Sequence, residues 1–173
     1  HPNIRGYGLI GHSFYKALTN SGLLSNENKE PFSFSELEAE MPVTALDSLQ
    51  GKFEVMMLKD GWPYFEPFPK LDVNKMSEAE KISGQLTVDK ISWKDATEKL
   101  FRHYLTNSDS LKALKVLEAM SLKFPDQAVC YSSPGHLALG MKKYDKAKYL
   151  YSKAAELDSS QQALGLISRK LVE

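Results

Sequence analysis

The sequence predicts a mainly α protein. About two helical hairpins and a capping helix are preceded by a small irregular, β-containing segment and an N-terminal helix. Three observations predict this. Ala-Leu-Lys-Val-Leu-Glu-Ala-Met from Ala113 is echoed 34 residues later by Ala-Lys-Tyr-Leu-Tyr-Ser-Lys-Ala from Ala147, and self-similarity at a fixed period of that size marks stacked two-helix units. From residue 77 onward, apolar residues recur at helical spacing. Between them lies a stretch where Pro63, Pro67 and Pro69 forbid a regular helix.

Composition narrows the function classes. The 173 residues are 42% hydrophobic and 25% charged, the balance of an ordinary globular chain. Lys+Arg and Asp+Glu both number 22, so overall charge gives no reason to expect nucleic acid or an anionic membrane surface. No apolar run approaches the roughly 20 residues of a membrane helix. A single cysteine, Cys130, excludes an internal disulfide and is expected to pack as a small hydrophobe. His12, His103 and His136 lack the spacing of a zinc site and read as helix-surface residues. No metal and no cofactor is expected.

Three regions separate by pattern: 1–24, 25–76 and 77–173. In the first, Leu9, Ile10, Phe14, Ala17 and Leu18 fall at helical spacing, and Gly22 is a stop signal. Residues 25–31 are polar, end on Pro31 and read as a linker. In the second region, Ser35 to Glu38 can start a short helix that Pro42 ends. Residues 52–58 read as a strand closed by the Asp60-Gly61 turn signal. Trp62, Tyr64, Phe65 and Phe68 then alternate with prolines, and these rings are expected to pack on neighbouring helices. In the third region, Ser77 with Glu80 matches a capping box, and Ser92 with Asp95 at N3 is a second helix start. Helices are expected over 111–123, 129–141, 144–157 and 161–172, with a turn at Asn107 to Asp109 and a break at Phe124 to Asp126.

The 34-residue echo resembles the tetratricopeptide (TPR) repeat. Tyr131 and Gly135 match the large and small positions of the first helix of a unit. Tyr144, Ala147, Tyr151 and Ala154 match the aromatic and small positions of the second. Small residues let two helices approach, and large ones fill the groove of the next unit. Pro134 departs from the family's usual Leu, so this first helix is expected to begin late or kink. Ser159 departs from the proline usually found after the second helix, although Pro125 holds that place one period earlier. Phe101 stands where a small residue is usual, and the stripe of Ala163, Leu164, Ile167 and Leu171 suits a capping helix. The resemblance implies a shallow concave face lined by Asp95, Glu98, Arg102, Ser132 and His136, which docks a protein partner or the catalytic domain of a parent protein. The basic clamp of the chaperone-binding subclass is not matched, since only Arg102 could serve in it.

The other end of the chain carries a different resemblance. His1-Pro2-Asn3 with Gly6, followed by a helix over 7–18, resembles the closing block of SGNH (GDSL-like) hydrolases, Asp-x-x-His-Pro-Asn-x-x-Gly. In that family the His is the general base for a serine nucleophile, so the resemblance implies that His1 is catalytic in the context of a full-length parent. The block's Asp falls before the first residue, and Ser13, Ser21 and Ser25 lack a nucleophile-elbow context. The chain opens on His rather than Met and is expected to be the C-terminal, non-catalytic part of a longer esterase, its compartment left open. Two alternatives stand beside that reading. One is a stand-alone TPR adaptor with no enzymatic activity. The other is a carbohydrate-binding piece in which Trp62, Tyr64 and Phe65 form a stacking platform.

Overall fold

The computed structural model describes residues 3–24 and 31–158. The described residues contain eight α-helices, one 3-10 turn and no strand: α1 (Ile4–Asn20), α2 (Phe34–Glu40), α3 (Ala45–Asp60), the 3-10 turn Val73–Lys75, α4 (Glu78–Thr87), α5 (Trp93–Thr106), α6 (Ser110–Lys123), α7 (Val129–Gly140) and α8 (Tyr144–Leu157). They fall into two compact units divided between Met41 and Pro42. The predicted helix over 161–172 and the position of Ser159 lie outside the described residues.

The first unit is the α1–α2 pair. Asn3 caps α1, its side chain accepting from the Gly6 amide at 2.9 Å, and Ser33 caps α2 through a capping box with Glu36. The pairing reverses the expected burial. Gly8 and His12 face inward, while Leu9, Ile10, Phe14 and Leu18 remain exposed. His12, expected on the surface, is buried at 7% exposure. Its Nε2 lies 3.0 Å from the Phe32 carbonyl oxygen, and its ring lies 5.7 Å from that of Phe34. The Phe32 carbonyl supplies the polar partner that a buried imidazole needs.

The second unit runs from α3 to α8, each helix packed on the next. Residues 52–58 are helical and not a strand: they form the middle of α3. Phe53 and Val55 alternate with polar residues, but Thr44 and Asp47 close a helix start upstream, Asp47 Oδ2 accepting from both the Thr44 amide and its hydroxyl at 2.7 Å. The Met, Leu, Glu and Lys residues that follow are good helix formers. The helix buries Leu46 and Phe53.

The aromatic segment after α3 does not pack as expected. Trp62, Tyr64 and Phe65 are 82%, 64% and 69% exposed. The backbone there is tied to the end of α3, Glu66 N–H donating to Lys59 O at 2.8 Å and Phe68 N–H to the Asp60 carboxylate at 3.1 Å. These ties hold the chain against its own helix terminus, and the rings project outward.

From α4 to α8 the predicted helices are present. The Ser77 and Ser92 capping boxes form as expected, and α8 begins and ends where the periodicity placed it. Helix α7 does not begin late at Pro134: it starts at Val129 and runs through the buried proline. One core cluster gathers Leu46, Ile82, Leu86, Ala96, Leu100, Tyr104, Ala113 and Val116. A second gathers Leu114, Ala138, Ala147, Leu150, Tyr151 and Ala154.

The two hairpins α5–α6 and α7–α8 repeat one another at a spacing of 34 residues. Ser108 and Lys142 both take left-handed backbone, with φ of 57° and 59°. The next amides, Asp109 and Lys143, both donate at 2.9 Å, to Tyr104 O and Ala138 O. The same two residues precede α6 and α8 with nearly identical dihedrals, φ −88°, ψ 69° and φ −84°, ψ 70°. Ala113 and Ala147 are the fourth residues of their helices, and both are 0% exposed. They occupy equivalent positions in consecutive hairpins.

Candidate interaction surface

The predicted surface residues sit on α5 and α7 in matching register, Glu98 with Ser132 and Arg102 with His136, each pair 34 residues apart. Their roles differ. Asp95 is engaged in helix capping: its Oδ2 accepts from Ser92 Oγ at 2.6 Å and its amide donates back to that hydroxyl at 3.1 Å. The Ser92 hydroxyl, followed by the Ser92 amide, holds the Asp95 carboxyl below its ordinary value.

Glu98 and Arg102 form an exposed pair at 3.6 Å, and such pairs contribute little to stability. Ser132 does not line the surface, because it is buried at 8% exposure and its hydroxyl donates to the Val129 carbonyl. His136 is exposed, and its Nδ1 shares a 2.8 Å hydrogen bond with the hydroxyl of fully buried Tyr151, the two rings meeting edge to face. Burial pushes the Tyr151 phenol up. His1 lies outside the described residues.

Around Arg102 the sequence reading missed a neighbourhood. Glu78, Lys81 and Gln85 of α4 and Lys99, Arg102 and His103 of α5 line one groove of about 580 Å³. Lys99 Nζ donates to Gln85 Oε1 at 3.3 Å across the two helices. The signal was available in the spacing: residues 81 and 85 are one helical turn apart, and 102 and 103 each lie one turn on from 99. The groove's lining carries three cationic side chains, Lys81, Lys99 and Arg102, against one anionic, Glu78.

Other chemistry is sparse. Among the described residues no group of three or more His, Cys, Asp or Glu side chains is placed to hold a metal ion, and no helix is long and apolar enough to cross a membrane. Cys130 is buried, and burial pushes its thiol up, away from the thiolate that nucleophilic or redox work requires.

No protein-family model, no curated protein and no solved structure matches this chain.

Proposed function

We propose that the second unit is a TPR-like docking module whose α4–α5–α7 face receives a protein partner. The observation that carries this reading is the 34-residue recurrence of turn, helix start and buried alanine in α5–α6 and α7–α8. Repeats of this kind bury one side of each hairpin against the next and leave an extended face for other proteins. Arg102 and the lysines of the adjoining groove give that face a preference for acidic partners.

The test places a photo-crosslinking residue at position 102 and, as a control, at exposed position 157. A partner captured at 102 but not at 157 is identified, purified and titrated against the wild type and Arg102→Glu. A tenfold or greater loss for the variant supports the reading; equal affinity removes it.

A second reading rests on the N-terminal unit. Asn3 caps α1 by accepting from Gly6, so the Asn-x-x-Gly spacing of the SGNH closing block here serves as a helix start. On this reading residues 1–24 close an SGNH-type esterase whose nucleophile is supplied elsewhere, His1 is its general base, and the TPR-like module docks the catalytic domain or a separate protein. If the first segment plays no such part, the module is an adaptor in its own right.

A further inference from the structure

A cleft of about 390 Å³ opens where the start of α3 meets the end of α5 and the start of α6. Its volume is at the lower end of the range for small-molecule sites, about 300–1,000 Å³. Residues 43–48 of the chain meet Tyr104 and the Leu111 to Val116 stretch to build it. The walls are largely apolar, from Val43, Ala45, Leu111 and Val116, and Leu111 stays 50% exposed at the rim.

Two polar groups in this cleft suit an anion, the Tyr104 hydroxyl and the Lys115 ammonium. Tyr104 is only 9% exposed and lines the cleft, yet its hydroxyl has no hydrogen-bond partner among the described residues. The hydroxyl is not enclosed, since among the described residues no buried side-chain polar atom lacks a partner, so it stands open to the cleft. Burial pushes its titration up, so it remains a donor at neutral pH. Lys115 is half-buried and has no ion-pair partner among the described residues. Lys112, paired with Asp109 at 2.6 Å, holds its ammonium 5.6 Å from the centre of the Tyr104 ring. The first residues of the 16-residue α3 form the opposite wall, where the Thr44 amide and hydroxyl already donate to Asp47. No acidic side chain lines the cleft.

We propose that this cleft binds a small monocarboxylate with an apolar body, its carboxylate against Lys115 and the Tyr104 hydroxyl and its hydrocarbon between Leu111, Val43 and Val116. One unpaired ammonium and one phenol match a single negative charge, and the apolar walls account for the rest of the ligand. The proposal is independent of the docking face on α5 and α7.

The test titrates the whole chain with octanoate by calorimetry, with 1-octanol and inorganic phosphate as comparators and amide chemical shifts to locate binding. Saturable octanoate binding is expected, with shifts confined to residues 43–48, 104 and 111–116. Lys115→Met should weaken it at least tenfold while leaving 1-octanol unchanged. Tyr104→Phe should weaken it several-fold. Leu111→Trp, which fills the rim, should abolish it with no loss of helical circular dichroism. Three outcomes overturn the proposal: no saturation, phosphate binding as tightly as octanoate, or octanoate bound equally by wild type, Lys115→Met and Leu111→Trp.

Discussion

Gly135 of α7 faces the ring of Tyr151 on α8 so closely that a Cβ at position 135 would lie 2.7 Å from Cε1 and 2.8 Å from Cδ1. Tyr151 is 0% exposed and hydrogen-bonded to His136, so the ring cannot swing aside. The pair sets how near the two helices of the last described hairpin can come.

Gly135→Ala should therefore destabilise the second unit by about 1–3 kcal/mol, the usual cost of overpacking. Gly51, in the middle of α3, has nothing within 4 Å of where a Cβ would stand. Gly51→Ala should stabilise by about 0.5–1 kcal/mol through helix propensity alone. Urea unfolding of the two variants measures both; a Gly135→Ala midpoint at or above wild type would show that the ring yields.

Ala147→Leu should cost about 1–3 kcal/mol for the same reason, because Ala147 is 0% exposed within the second core cluster. Its exposed neighbour Lys148 should tolerate alanine within about 0.5 kcal/mol. Equal losses in denaturant melts would mean that the buried face of α8 is misassigned.

The capping carboxylates predict an acid-sensitive term. Glu36, Glu80 and Asp95 all titrate below their ordinary values because the hydroxyl and amide of Ser33, Ser77 and Ser92 bond to the ionised form. In the unfolded chain these partners are absent. The unfolded state therefore binds protons more readily, and the contribution is fully present above the ordinary carboxyl value and lost as pH falls through the lowered one. Ser92→Ala should lower the urea midpoint at pH 7, and its gap from wild type should narrow progressively toward pH 3. A constant gap would separate the cap from the charge.

Catalytically, this chain on its own should not turn over p-nitrophenyl acetate above background, since the resemblance assigns it at most a general base. A protein that adds the SGNH nucleophile blocks should do so, and His1→Ala in it should lower kcat by several orders of magnitude with the helical spectrum unchanged. An active protein indifferent to loss of His1 would remove the hydrolase reading and leave the adaptor.

Much of the second unit was legible because its signals are local. Serine followed three residues later by a carboxylate marked the starts of α4 and α5, and the spacing of Ala147, Tyr151 and Ala154 marked the buried face of α8, although Tyr144, expected with them, is 48% exposed. Residues 52–58 misled because two apolar residues at alternate positions imitate a strand, while the helix start that governs them lies eight residues upstream at Thr44. The exposed face was half legible. Register alone aligned Arg102 with His136, but whether position 132 points outward depends on how deeply α7 sits between α6 and α8, and there Ser132 is buried. The cleft at Tyr104 had no signature, since its walls are some 60 residues apart in the chain and meet only through packing.

The left-handed residues Ser108 and Lys142 bear on how such a protein can grow. Each directs the chain out of one helix and into the next along the same path, so the stretch from Asp109 to Lys142 begins where the previous path ends and finishes in the conformation from which it began. A tandem duplication of that stretch would insert one more rung without a new joint, and each added rung would bring another helix to the proposed docking face. The reach of the face is then a matter of copy number, open to gene duplication without any change in the rules by which one rung meets the next.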